Sequence, residues 1–112
     1  MIDEQLLLDF NAEIRGYSKG KTIFSENNTA KYYYQIVSGA VKMNNYNDDG
    51  KEFIQNVFYK GQSFGEPPLF IDVKYPANAI AFSDCKVLKL EKENLFKLLF
   101  QYPKNLSNIL NF

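Results

Sequence analysis

The stretch Lys60–Ala79 restricts this chain to a small set of folds. It reads Lys60-Gly61-Gln62-Ser63-Phe64-Gly65-Glu66-Pro67-Pro68-Leu69-Phe70, continues from Ile71 to Tyr75, and ends Pro76-Ala77-Asn78-Ala79. On both sides lie short runs rich in Phe, Tyr, Val and Ile, divided by Asn, Asp, Ser and Gly. Such residues suit a half-buried pleated surface, and turns at that spacing point to a sandwich or jelly roll. Gly61 and Gly65 let the backbone take positive φ or approach another group closely. Pro67 suits the first position of a short helix, where its missing N–H removes no bond. One reading is a bulged loop crossing a β-roll. The other is a ligand loop, with Glu66 at a glycine corner as an acceptor for hydroxyls.

The strands are expected at Thr22–Phe24, Tyr32–Val37, Ala40–Tyr46, Lys51–Tyr59, Asn78–Phe82 and Lys86–Leu90. Tyr32, Tyr34 and Ile36 alternate onto one face. Glu26-Asn27-Asn28, Ser38-Gly39, Asn47-Asp48-Asp49-Gly50 and Ser83-Asp84 read as turns, and Asn27 tolerates the left-handed region. Asp48 and Asp49 are hairpin residues rather than metal ligands. Helical spacing appears at both ends. Glu4–Asn11 carries Leu6, Leu7, Leu8 and Phe10, a short helix set against the barrel end, and Arg15 falls before the first strand. Leu95, Leu98, Leu99 and Tyr102 share a helix face, and Pro103 separates them from a second segment. There Leu106, Ile109 and Leu110 repeat an i, i+3, i+4 stripe. No glycine cap precedes Phe112, so this segment reads as a helix cut near its start. The expected division is a single domain: residues 1–16 an N-terminal helical segment, 17–90 a β-roll and 91–112 C-terminal helices.

Composition removes several function classes. A length of 112 residues suits one domain with a real core. Thirteen basic residues balance thirteen acidic ones, so no basic surface announces nucleic acid. No apolar run is long enough for a membrane span and no signal peptide opens the chain, which reads as soluble and cytoplasmic. Cys85 is the only cysteine, so no internal disulfide forms, and it is expected as a small buried hydrophobe. With no histidine, His-ligated zinc or haem and an imidazole base are excluded. No nucleophile–base pair and no paired metal carboxylates emerge, so no catalytic or metal site, no cofactor and no enzyme activity are expected.

Gly61-x-x-Phe64-Gly65-Glu66, followed by Pro76-x-x-Ala79, resembles the phosphate-binding cassette of cyclic nucleotide-binding domains. The sensor domains of bacterial Crp/Fnr-type transcription regulators are the nearer likeness. Lys19-Gly20-x-x-Ile23-Phe24 is similar to that family's opening strand, and Ile36-Val37-Ser38-Gly39-x-Val41-Lys42 to its strand-turn-strand. Asp49-Gly50-Lys51-Glu52 matches its hairpin turn, and Asp84-Cys85-x-Val87-Leu88 its last strand before a helix. The likeness spans nearly the whole chain. It implies an antiparallel β-roll or jelly roll, mainly β with flanking and C-terminal helices. It also implies that Glu66 accepts from a ribose 2′-hydroxyl while Gly65 and neighbouring amides approach sugar and phosphate. The lone cysteine excludes the internally ligated four-cysteine iron–sulfur cluster of some relatives.

One departure bears on the ligand. The family motif continues Pro-Arg-Ser/Thr-Ala, in which arginine neutralises the cyclic phosphate. Here Pro76-Ala77-Asn78-Ala79 sets Ala77 in its place. A guanidinium makes forked, charge-assisted contacts that alanine cannot. Such bonds contribute roughly 1.5–3 kcal/mol each, so losing two weakens binding by about two to four decades. Pro67 and Pro68 also lack N–H groups at the cassette helix start. Asn78 offers an uncharged amide, and Lys74 is either a substitute cation or a surface lysine. Glu66 retains two readings, hydroxyl recognition or a carboxylate bonded to loop amides. Phe64, Phe70 and Tyr75 either line a ligand site or belong to the core.

In the resembled family a long helix follows, pairs two subunits and leads to a helix-turn-helix domain. Neither stands in this sequence, which implies a sensor domain separated from its DNA-binding half. A homodimer is expected in the full-length protein, with DNA met only through the missing domain and no membrane partner. Leu106, Ile109 and Leu110 form either a self-association face or a cover for the roll. Two functions are weighed: a small-molecule effector sensor with a degenerate cassette and little or no ordinary cyclic AMP binding, or a ligand-free structural or dimerisation module. A cavity shared by Glu66 and Asn78 favours the first; a pocket filled by Tyr75 or Phe70 favours the second.

Overall fold

The computed structural model describes residues 1–110, with side chains through residue 109. In chain order the elements are α1 (Glu4–Asp9), β1 (Glu13–Tyr17), β2 (Thr22–Phe24), β3 (Tyr32–Ser38), β4 (Val41–Tyr46) and β5 (Glu52–Phe58). There follow β6 (Ser63–Phe64), α2 (Pro67–Phe70), β7 (Asn78–Ala81), β8 (Cys85–Glu91), α3 (Lys92–Gln101) and α4 (Asn105–Leu110). The strands form two antiparallel sheets, β1-β8-β3-β6 and β2-β7-β4-β5. This is the β-roll expected from the alternating aromatic pattern, and every expected strand is present within a residue or two.

Turn chemistry sets the register. Asn27 takes φ of 70°, the left-handed conformation anticipated for it. The Asn47–Gly50 hairpin closes with Asn47 Oδ1 accepting from the N–H groups of Asp49 and Lys51. Asp48 and Asp49 are exposed there, and no group of three or more potential metal ligands occurs among the described residues. At Gly39, with φ of 82°, an added Cβ would lie 2.3 Å from the Asp84 carbonyl oxygen, so this turn admits only glycine.

The core has two parts because β3 is buried on both faces. Directly opposed residues of antiparallel strands share a face. Ile36 opposes Val87 and Tyr34 opposes Lys89 on the inner side of the roll, with Phe24, Phe64 and Val41 in the same apolar cluster. Tyr33 opposes Leu90 and Gln35 opposes Leu88 on the other side, where α1 and α3 pack against the sheet. α3 contributes Leu95 and Leu98, both fully buried. Cys85 is buried, as a small strand hydrophobe should be. No helix among the described residues is long and apolar enough to cross a membrane.

The ends differ from expectation in three ways. The N-terminal helical segment does not reach residue 16: α1 stops at Asp9, and Asn11 at φ 74° turns the chain into β1. Arg15 therefore lies within the first strand, ion-paired to Glu13 at 2.7 Å. β1 is an edge strand exposed over four of its five residues, so it carries no alternating burial signal. Tyr102 does not continue the α3 face; it is the residue after the helix, with φ −129°, and its ring meets Phe10 edge-on at 6.2 Å. The stripe on α4 divides, Ile109 being buried in the core while Leu106 is 40% exposed. The Leu110 side chain, and the expectation of a cut helix at Phe112, lie outside the described residues.

Gln35 joins the N-terminal segment to the roll. Its side chain accepts from the Ile2 N–H at 3.0 Å and donates to the Ile2 carbonyl at 2.7 Å, while the Tyr33 hydroxyl donates to its Oε1 at 2.6 Å. Both Gln35 and Ile2 are fully buried. Gln35→Leu orphans both Ile2 backbone groups, and a buried orphan costs ~1–3 kcal/mol, so urea denaturation should register a loss of about 2–6 kcal/mol. A wild-type midpoint in that variant would contradict the linking role.

Candidate functional site

The cassette is built as its glycines and prolines dictate. Gly61 at φ 85° turns the chain after β5, its N–H donating to the Ile36 carbonyl at 2.8 Å. Gly65 at φ 74° follows β6, and a Cβ there would meet the Phe24 ring at 2.7 Å. Glycine is thus required twice over, by backbone conformation and by the ring pressed against it. Pro67 opens α2, a single turn closed by the Ile71 N–H donating to the Pro67 carbonyl at 3.1 Å. Within α2, Pro68 and Leu69 are buried.

Beyond α2 the chain folds back over the roll, and Tyr75 inserts between the sheets. Its ring stacks on Phe24 with centroids 3.7 Å apart and planes within 6°. Phe24 neighbours Tyr34 and Phe64, which stack on each other at 5.4 Å. Phe64 and Tyr75 are therefore core residues. Phe70 turns the other way and packs against Phe96 of α3 at 5.6 Å.

Backbone and amide bonds lock this arrangement. The Asn27 N–H donates to the Tyr75 carbonyl at 2.9 Å, and the Tyr75 N–H donates to the Asn28 carbonyl at 3.0 Å. Asn45 Nδ2 donates to the Pro76 carbonyl and to Glu26, each at 2.9 Å. Asn78 Oδ1 accepts from the Glu26 N–H at 2.8 Å, and its Nδ2 donates to Asn44 Oδ1 at 3.2 Å. The Asn78 amide is engaged with protein at both atoms. Ala77 is fully buried and Ala79 lies in the core, while Pro76 is exposed. Lys74 is exposed, its Nζ donating to Thr29 Oγ1 at 2.7 Å.

Glu66 stands apart from Asn78. It lines a cavity of about 290 Å³ together with Met1, Phe58, Gly61, Gln62, Ser63, Asn108 and Ile109, and none of residues 76–79 borders that space. Its Oε1 is buried without a hydrogen-bond partner among the described residues. Burial raises the Glu66 pKa above the ordinary carboxylate value; hydrogen bonding to Ser63 and to its own backbone, and the charge of the N-terminal amine, offset this in part. The Glu66 charge in turn helps burial to push Tyr75 up to about 12, so that phenol stays neutral. The structure brings Phe64, Gly65 and Tyr75 together, while Glu66 lines a cavity that Ala77 and Asn78 do not border. Met1 and Asn108 carry no local sequence signal, because they come from opposite ends of the chain, whereas Ser63 lies within the cassette stretch itself.

Comparison with known proteins agrees with this architecture. The family profile described as "Cyclic nucleotide-binding domain" matches residues 14–102. A cAMP-dependent protein kinase regulatory subunit from Colletotrichum orbiculare is 34% identical over 87 residues, covering 78% of this chain and 22% of that protein. The cyclic AMP receptor protein of Thermus thermophilus is 29% identical, covering 80% of this chain and 41% of that one. The crystal structure of the Thermus thermophilus catabolite activator protein superposes with a TM-score of 0.82 at 28% identity, over 96% of this chain and 51% of the other. This chain thus spans less than half the length of the curated relatives it matches. The match over residues 14–102, together with that superposition, shows that the chain belongs to the cyclic nucleotide-binding domain family, in the form of a Crp/Fnr-like sensor domain.

Proposed function

We propose that this chain is an effector-sensing regulatory domain that recognises its ligand through Glu66 and does not clamp a cyclic phosphate. One observation carries the reading: the unpartnered Glu66 Oε1 beside a cavity of about 290 Å³. A buried acceptor without a donor is a cost that a ligand hydroxyl would relieve. Asn108 and Ile109 of α4 border the same cavity, so a ligand there touches the last described helix. An effector that favours one placement of α4 shifts the population toward it, and in a longer regulator such a shift alters how two sensor domains pair. The pairing and the DNA contacts belong to that longer protein.

A specific observation favours a second reading. Tyr75 fills the space between cassette and roll, which suits a structural module that kept the fold and lost the pocket. In either case ordinary cyclic nucleotide binding is disfavoured, because Ala77 supplies no charge, Asn78 is engaged, and Glu66 faces another cavity. The degenerate cassette expected from the missing arginine is supported by these placements.

Calorimetric titration with cyclic AMP and cyclic GMP should give no measurable binding to the wild type at millimolar ligand. Because Ala77 is fully buried, Ala77→Arg should lose stability and gain no affinity on its own. Micromolar binding by the wild type, or affinity gained by Ala77→Arg, would mean that the cassette opens for phosphate.

The Glu66 carboxyl makes a separate prediction with a defined sign. Its folded pKa lies above the ordinary value of 4.5, so the folded state holds its proton longer than the unfolded chain. Stability carried by this group is present below 4.5 and is lost as pH rises through the raised value. Glu66→Gln removes that loss. Urea midpoints should therefore shift in favour of the variant on going from acid to neutral pH. A pH-independent difference between the two proteins would show that Glu66 is not desolvated.

A further inference from the structure

A second cavity, of about 430 Å³, opens at the mouth of the roll and shares no lining residue with the space at Glu66. Phe24, Tyr34 and Tyr75 form its aromatic wall, and Thr29, Lys31 and Lys89 supply its polar groups. Lys89 is unusual. It opposes Tyr34 across β3 and β8, so it shares the inner face of the sheet, and it is only partly exposed. Its ammonium sits 4.0 Å from the centre of the Tyr32 ring. Among the described residues no carboxylate lies within ion-pair distance of it; the two ion pairs present are Arg15–Glu13 and Lys42–Glu52. Glu13 opposes Lys89 across β1 and β8 and with Glu91 borders an adjoining space, but Glu13 is ion-paired to Arg15 and Glu91 is exposed.

A half-buried ammonium braced by a ring face is a charge positioned without its counter-ion. Lys31 adds a second cation at the exposed rim. The Tyr34 and Tyr75 hydroxyls make no hydrogen bond to the described protein, and neither is sealed off, so both remain available as donors. Flat rings on one wall and cations beside them select a flat molecule with one anionic end.

We propose that this cavity is a binding site for a small aromatic carboxylate, with Lys89 pairing the carboxylate and the Phe24–Tyr75 wall receiving the ring. The site is independent of the role assigned to Glu66. A ligand here would press on the Phe24–Tyr75 stack, which is the point where the cassette is fastened to the roll.

Benzoate and its neutral isostere benzamide are the probes, titrated into the ¹⁵N-labelled chain and followed by amide shifts. Benzoate should give saturable shifts at Thr29, Tyr32, Tyr75 and Lys89 at millimolar concentration, and benzamide should give none. Lys89→Gln should weaken benzoate by roughly tenfold to a hundredfold, the loss of one charge-assisted contact. Lys31→Gln, at an exposed position, serves if Lys89→Gln fails to fold, and it should weaken benzoate by a smaller factor. The proposal is overturned by absent or unsaturable shifts, by equal binding of benzoate and benzamide, or by undiminished binding in a folded Lys89→Gln. Saturable shifts confined to Ser63, Glu66 and Asn108 would also overturn it, and would move the binding to the other cavity.

Discussion

The contact between Tyr75 and Phe24 fixes the cassette in this domain. A parallel pair at 3.7 Å buries two aromatic faces at once, and such pairs add about 0.5–1.5 kcal/mol beyond the area they cover. More important is what the stack holds in place. Tyr75 is the last residue before Pro76-Ala77-Asn78, so its insertion decides where that segment lies. Gly65 is pressed against the other partner, Phe24, which allows no side chain at that corner. Both ends of the cassette therefore meet at one pair of rings, and the turn at Asn27–Asn28 bonds to Tyr75 on both sides of its peptide unit.

That arrangement suits alanine rather than arginine at position 77. A guanidinium at position 77 would need room and a counter-ion, and alanine needs neither. With Ala77 buried, Asn78 turns to the Glu26 N–H and to Asn44 and becomes part of the framework. Glu66 is left on the far side of the glycine corner with one oxygen unsatisfied. In this chain a buried alanine, an engaged amide and an unpartnered carboxylate oxygen thus stand where the resembled motif has its ligand contacts.

Much of this was legible in the residues. Turn chemistry at Asn27, Gly39 and Asn47–Gly50 marked the strand boundaries, and the alternation at Tyr32, Tyr34 and Ile36 marked the inner face of β3. Pro67 marked a helix start, and α2 begins there. β1 was not legible, because an exposed edge strand pairs through its backbone and leaves its side chains free of pattern. The ends of the helices were blurred for a related reason, since Tyr102 is apolar enough to extend a helical stripe that the backbone has already left. At the site, the missing arginine could be read directly. The cavity at Glu66 could not, because Met1 and Asn108, which also line it, come from opposite ends of the chain and meet at 3.1 Å. The unpaired Lys89 was equally hidden, since only strand register reveals that a lysine faces inward.

Tyr75 should remain stacked on Phe24 when a nucleotide is offered. Proton NMR of the domain should show cross-relaxation between the Tyr75 and Phe24 rings, and the same measurement in saturating cyclic AMP tests the claim directly. Unchanged ring contacts and unchanged Tyr75 shifts are the predicted result. Loss of those contacts, with new ones between Tyr75 or Gly65 and the nucleotide, would contradict it and show that the cassette opens to admit its family's ligand.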